Sequence, residues 1–272
     1  MSLRDKAFIS LIRVMPRQLV TAGAGKLAEL PVPTRLRRTV YGGFARLVGA
    51  DLEEAANGVD TFETFNAFFT RALRDGLRPW QATGDAWAVP ADGKLSVEGR
   101  IERGAIIQAK GIDYAVEDFL GEDAEAWEGA RFATIYLSPA DYHRVHWPVS
   151  GAVTRVAAMG GDLWPVNEAS VRYVPTLFIE NERTVTVFKD AAGRRAAMVM
   201  VGATVVGGIE LCVLDASEAA PVRVRGAEEH GRFHMGSTVV LLVQDRDAPL
   251  KETEREIGSA VRLGELLWAS QD

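Results

Sequence analysis

One cysteine, Cys212, stands in the 272 residues of this chain, so no disulfide can form within it. It lies in Gly208-Ile-Glu-Leu-Cys-Val-Leu214, which reads as a strand, so a buried and inert thiol is expected. No apolar run approaches the roughly 20 residues that span a bilayer. The longest, residues 196–209, holds Thr204 and three glycines. No long apolar core precedes a small-residue cleavage site, so no secretory signal is expected. Cysteine clusters and a third histidine at zinc-type spacing are missing, so no metal site is expected. No repeat is visible, and no recognition motif or basic-aromatic pattern calls for nucleic acid.

What is present is an ordinary soluble composition, 47% hydrophobic and 25% charged, long enough to bury a large core. The charge is unevenly spread. Residues 1–50 hold nine basic residues (Arg4, Lys6, Arg13, Arg17, Lys26, Arg35, Arg37, Arg38, Arg46) against two acidic ones (Asp5, Glu29). The head therefore carries +7; the whole chain carries −6, which leaves −13 on residues 51–272. Such a head calls for an anionic partner.

Ala7, Phe8, Leu11, Ile12 and Met15 follow helical spacing until Pro16 interrupts. A second helix is expected over residues 17–30, weakened by Gly23 and Gly25. A basic amphipathic helix suits an anionic membrane surface, and it equally suits packing on the body. Residues 35–47 and 61–73 also read as helices. Beyond Pro79, short β-branched runs recur between turn signals: residues 105–109, 132–137, 153–157, 184–188, 197–201, 204–206, 209–214 and 238–243. Asp190-Ala-Ala-Gly193 reads as a hairpin turn. The expected class is α+β, a helical N-terminal segment (1–50) followed by a β-rich catalytic domain (51–272) of mostly antiparallel short strands.

Three segments combine reactive side chains with turn chemistry. Val89-Pro-Ala-Asp-Gly-Lys-Leu95 carries Asp92 in a turn. Ile135-Tyr-Leu-Ser-Pro-Ala-Asp-Tyr-His-Arg-Val-His146 carries His143 and His146, which share a face in a helical turn and oppose each other in a strand. Glu228-Glu-His-Gly-Arg-Phe-His-Met-Gly-Ser-Thr238 places His230 and His234 just upstream of Gly236-Ser237. A glycine before a reactive serine lets other groups approach its carbonyl closely. Singly, each segment also reads as a plain turn. Asp92, His146 and Ser237 would also fit a hydrolase triad, although the Gly-x-Ser-x-Gly elbow is missing.

Together the segments resemble the pyruvoyl-dependent phosphatidylserine decarboxylase family. The matching pieces are Phe69-Thr-Arg-Ala-Leu-Arg74 with Arg78-Pro79, Pro90-Ala-Asp-Gly-Lys94, Leu137-Ser-Pro-Ala-Asp-Tyr-His-Arg-Val-His146, Asn181-Glu-Arg183 and Gly231-Arg-Phe-His-Met-Gly-Ser-Thr238. Met235 stands where bacterial relatives commonly carry Leu.

The resemblance implies self-cleavage between Gly236 and Ser237, giving a large chain (1–236) and a small chain (237–272). Ser237 would become a pyruvoyl cofactor that binds the substrate amine as a Schiff base. It further implies His146 as the base, Asp92 as its orienter and His143 as the acid that protonates the product carbon. The substrate would be phosphatidylserine in an anionic membrane surface, reached from the cytoplasmic face by a peripheral enzyme. Homo-oligomerisation stays open. Asn181 and Arg183 would either meet the headgroup phosphate or close a turn, and the turn is the preferred reading. The rivals are an uncleaved hydrolase, a non-enzymatic membrane-binding module and a pyruvoyl decarboxylase of a soluble amino acid.

Overall fold

The computed structural model describes residues 3–109, 112–166, 168–204, 208–234 and 237–271. Three helices open the chain: α1 (Leu3–Val14), α2 (Arg17–Ala28) and α3 (Thr34–Val48). Pro16 separates the first two because its ring cannot continue the hydrogen-bonded turn. Gly49, in the left-handed region at φ 81°, ends the third, and its N–H donates to the Ala45 carbonyl at 2.8 Å.

The helix expected over residues 61–73 is much shorter. A 3₁₀ turn (Val59–Thr61) precedes α4 (Phe65–Phe69), whose N-cap Thr64 accepts from the Ala67 N–H at 3.1 Å. Beyond it the backbone is drawn to residues 54–56: Ala56 N–H donates to the Ala72 carbonyl and Arg74 N–H to the Glu54 carbonyl. This tertiary pairing overrides the local helical spacing. Tyr41, Phe62 and Phe68 form a small aromatic core that joins α3 to α4.

The body is built on an eight-stranded antiparallel sheet. Its order is Val222–Val224, Gly151–Met159, Arg183–Asp190, Arg195–Val201, Ser237–Val243, Arg131–Leu137, Gly93–Arg100 and Ala260–Val261. Residues 190–195 make the expected hairpin. Both faces are covered. Val240 and Leu242 enter one core cluster, while Val239, Leu241 and Val243 enter the other. A strand buried on both faces needs no polar alternation, which accounts for the unbroken apolar run after Thr238. Residues 204–206, read as a strand, lie largely outside the described residues.

Cys212 corrects an expectation. It sits just beyond the strand Ile209–Leu211 and is exposed. That strand edges a separate three-stranded sheet with Glu229–Phe233 and Arg144–His146. Burial of its surroundings pushes the thiol pKa up, so it stays protonated at neutral pH.

Candidate active site

Backbone pairing brings the three sequence segments to one junction. The strand carrying His146 pairs with the strand that leads toward Gly236: Glu229 faces His146 and Arg232 faces Arg144. His146 N–H donates to the Pro90 carbonyl at 2.8 Å, which fastens the Asp92 turn to the same strand. Across the main sheet, Lys94 pairs with Tyr136, and Tyr136 with Thr238. Gly93 is required there, because a Cβ would meet the Tyr136 carbonyl oxygen at 2.4 Å. Gly236, on the acyl side of the expected scissile bond, lies outside the described residues. The backbone of Ser237 begins the central strand; one strand, Arg131–Leu137, separates it from the strand that follows the Asp92 turn, about 10 Å at two inter-strand spacings.

The segment holding His143 and His146 is extended, so the two imidazoles lie on different sides of it. His146 is held at both ring nitrogens. Nδ1 lies 2.8 Å from the Ala227 carbonyl, which can only accept, so Nδ1 carries the proton. Nε2 is then the basic atom, and the Tyr142 hydroxyl donates to it at 3.0 Å. Burial lowers the His146 pKa, opposed by the Ala227 hydrogen bond and by the charges of Glu229 and Asp92. Burial also raises the Tyr142 hydroxyl to about 12, so it remains a donor.

Asp92 is only 3% exposed and serves another partner. Arg78 grips it from Nε at 3.0 Å to each oxygen and from Nη2 at 2.6 Å. Leu263 N–H donates to it at 2.9 Å. No hydrogen bond or ion pair among the described residues joins Asp92 to His146; Asp92 acts on the imidazole through space, and the Ala227 carbonyl sets the tautomer. Arg78 itself stood in the recognised Arg-Pro pair without a role. Tyr142 lay inside the histidine segment, where its spacing of four from His146 gave no sign of contact.

His143 is fully buried, and among the described residues neither ring nitrogen has a hydrogen-bond partner. Phe69 stacks on it at 4.1 Å between ring centroids and 14° between planes. Burial, aided by the nearby Arg71 charge, lowers its pKa to about 3, so it is neutral at pH 7. His230 is equally buried and unpartnered, lowered to about 3 by burial, and sits edge-on to Trp147 at 4.5 Å.

His234 differs. Its Nδ1 meets the Asn66 side chain at 2.7–2.9 Å, and its Nε2 is 3.3 Å from Glu210. Asn66 also donates to Glu29 at 2.5 Å, so one amide ties α2 and α4 to the segment before Gly236. His234, Asn66 and Glu29 line a cavity of about 810 Å³ between α2 and the body, with Lys26, Leu163 and Glu182 also on its walls. At the start of α2, Arg17 grips Asp162 at 2.6–2.9 Å and stacks 4.0 Å above Trp164.

Asn181 and Arg183 are structural. The Asn181 amide bonds Trp164 and Gly202 backbone, and Arg183 donates to the carbonyls of Phe119, Ile179 and Asp118. No group of three or more His, Cys, Asp or Glu suited to a metal occurs among the described residues.

The family model described as phosphatidylserine decarboxylase matches residues 65–269. A phosphatidylserine decarboxylase proenzyme of Anaeromyxobacter sp. (strain K) is 41% identical, covering 97% of this chain and 99% of the relative. Proenzymes of the same description from Myxococcus xanthus and Pseudomonas aeruginosa are each 38% identical, covering 96% and 98% of this chain and 98% of each relative.

Proposed function

The chain belongs to the phosphatidylserine decarboxylase family, and from that premise we propose that it makes its own pyruvoyl group at Ser237 and uses it to convert phosphatidylserine to phosphatidylethanolamine. The carrying observation is the junction of the Asp92 turn, the His146 strand and the strand leading toward Gly236.

In the self-cleavage step the Ser237 hydroxyl attacks the Gly236 carbonyl, and its proton passes to the neutral Nε2 of His146. Tyr142, hydrogen-bonded to that nitrogen, either moves aside or relays the proton. Asp92, fixed by Arg78, stabilises the imidazolium through space. The amide has then become an ester with a free Ser237 amine. Removal of the Ser237 α-proton expels the Gly236 carboxylate, and hydrolysis of the resulting enamine releases ammonia and leaves the ketone. Residues 1–236 and the 36 residues 237–272 are the products.

The site fits that group. Ser237 opens a strand paired on both sides, with Thr238 1% exposed, so the new N-terminus of the small chain stays fixed after the cut. The pyruvoyl carbonyl supplies an electron sink for the pair left by carbon dioxide. We assign the reprotonation of the product carbon to His143, a contribution of about 10²–10⁴-fold. It is neutral in the free protein and takes up the proton it delivers when a bound anionic substrate offsets the burial that lowers its pKa.

The head brings the site to a peripheral position on an anionic membrane, at the cytoplasmic face. Its exposed Leu19, Leu27, Leu36 and Leu47 accompany exposed Arg13, Lys26, Arg35 and Arg46. No helix among the described residues is long and apolar enough to cross a membrane. This apolar, basic surface favours a lipid over a soluble amino acid as substrate.

Intact mass of the purified protein tests the reading. Two chains, with the smaller blocked by a pyruvoyl group at residue 237, are expected; one unbroken chain with an unmodified Ser237 defeats it.

A further inference from the structure

Among the described residues four arginines are at most 4% exposed: Arg71, Arg131, Arg183 and Arg194. Three are fully engaged. Arg131 meets Asp245 and Glu252, Arg194 meets Asp190 and Asp85, and Arg183 spends its donors on backbone carbonyls. Arg71 is the exception. Its Nε is buried with no hydrogen-bond partner, and no carboxylate among the described residues lies within ion-pair distance of its guanidinium. The group rests 5.4 Å from the ring centre of Phe68.

A buried cation left this way is costly unless something else pairs with it. The carboxylates that act on Arg71 through space form no ion pair with it, and each is held by another group. Glu54 holds Arg78 and Arg262, Asp92 holds Arg78, Asp141 accepts from Ser138 N–H and Asp51 from Glu53 N–H. The position is also telling. Arg71 follows α4, where Phe69 stacks on His143 and the Thr70 carbonyl accepts from Arg144 at 2.9 Å. The guanidinium thus stands beside the candidate acid of the reaction.

We propose that Arg71 is the receptor for the phosphodiester group of the phospholipid substrate. This rests on the phosphatidylserine decarboxylase reading and deepens it. The substrate offers two anions, and the chemistry chooses between them. The carboxylate loses its charge as carbon dioxide departs, so a tight ion pair to it would stabilise the ground state and oppose the reaction. The phosphodiester keeps its charge throughout, so an arginine holding it lowers KM without raising the barrier. The planar fork of guanidinium suits phosphate oxygens better than an ammonium does.

The test uses full-length Arg71→Gln and Arg71→Lys. Self-cleavage, read by intact mass, should go to completion in both. With dispersed short-chain phosphatidylserine, Arg71→Gln should raise KM by about 30-fold, the loss expected for one charged hydrogen bond, with kcat within about twofold. Arg71→Lys should recover part of the loss. The melting temperature of Arg71→Gln should equal or exceed that of the parent, since an unpaired buried cation has been removed. Soluble glycerophosphoserine should raise the melting temperature of the parent protein and leave Arg71→Gln unmoved.

Several results would overturn the assignment. An unchanged KM in Arg71→Gln removes it, a rise in kcat together with KM moves Arg71 to the carboxylate, and a fall in kcat at constant KM makes Arg71 part of the chemical step instead. A lower melting temperature with failed processing makes Arg71 structural. An equal thermal shift from inorganic phosphate makes the site a general oxyanion site and removes the headgroup assignment. A parent chain that never cleaves defeats the pyruvoyl reading instead, and the thermal shift with glycerophosphoserine still decides Arg71.

Discussion

The head and the sheet treat leucine and valine in opposite ways. In the strand Ser237–Val243, Val239 through Val243 are wholly buried, whereas Leu47, Val14 and Leu19 of the helices are 83%, 79% and 74% exposed. Yet the head is not loose. Ile9 and Ile12 of α1 enter a body core, Arg17 locks onto Asp162, and Tyr41 of α3 closes an aromatic cluster with Phe62 and Phe68. Each helix therefore has one mated face and one unmated apolar face. The sheet's apolar residues secure the fold, while those of the outer helical faces stay exposed, and it is these that the proposed reading turns toward a membrane. Substitutions in the two regions should then separate cleanly into losses of chemistry and stability on one side and losses of membrane contact on the other.

The sheet side should show the largest effects. Ser237→Ala should remain one chain with no decarboxylase activity, since it removes the attacking hydroxyl. His146→Ala should slow self-cleavage by about 10²–10⁴-fold while vesicle binding is unchanged, measured on a denaturing gel over time and by sedimentation. Because burial lowers the His146 pKa, its neutral basic form persists below the ordinary histidine range. The acid limb of the cleavage rate should accordingly fall below pH 6.5, and a limb above that value would displace His146 as the base. Asp92→Asn leaves Arg78 buried with Glu54 alone. It should cost about 3 kcal/mol in urea unfolding as well as slowing cleavage.

The two buried histidines sharpen the comparison further. His143 and His230 fall to about 3 in the folded protein from an ordinary 6.5. Below pH 6.5 the unfolded chain binds protons that the folded chain refuses, so stability is present above 6.5 and is lost as pH falls toward 3. At pH 5 each should cost about 2 kcal/mol relative to pH 7, at 1.36 kcal/mol per pH unit. His230→Phe should remove half of that loss. A urea midpoint with the same pH dependence in that variant would show that the buried histidines do not govern the slope.

Much of the fold was legible because it rests on local patterns. Pro16 marked the break between α1 and α2, and Asp190-Ala-Ala-Gly193 marked a hairpin. The exposed position of Cys212 and the brevity of α4 were not, because each depends on where a distant segment pairs. The site divides similarly. The Asp92 turn, the histidine segment and Gly236-Ser237 could be read from residue types at short spacing. Contacts such as Tyr142 to His146 and Arg78 to Asp92, and the orphaned state of Arg71, depend on three-dimensional packing. Orphaning above all cannot be read from a chain, since it is the lack of partners that sequence neither shows nor forbids.

The smallest effect on folding should come from the head. Leu19, Leu27 and Leu47 are exposed, so changing all three to Ser should alter unfolding free energy by no more than about 0.5 kcal/mol per site. Self-cleavage should be complete, because none of the three touches the junction of Asp92, His146 and Ser237. On anionic vesicles the balance reverses. Burying one leucine side chain in the interface contributes about 1.5 kcal/mol, or roughly tenfold in partitioning. The triple variant should therefore sediment with vesicles far less than the parent and show lower activity on bilayer substrate, with activity on dispersed short-chain lipid retained. Raised salt should weaken the parent's binding through its exposed arginines, and should weaken the variant's residual binding by a similar factor. If the triple variant binds vesicles as the parent does, the outer helical faces are not the membrane surface. If it also loses stability, the exposed leucines belong to the fold after all, and the contrast between the two regions disappears.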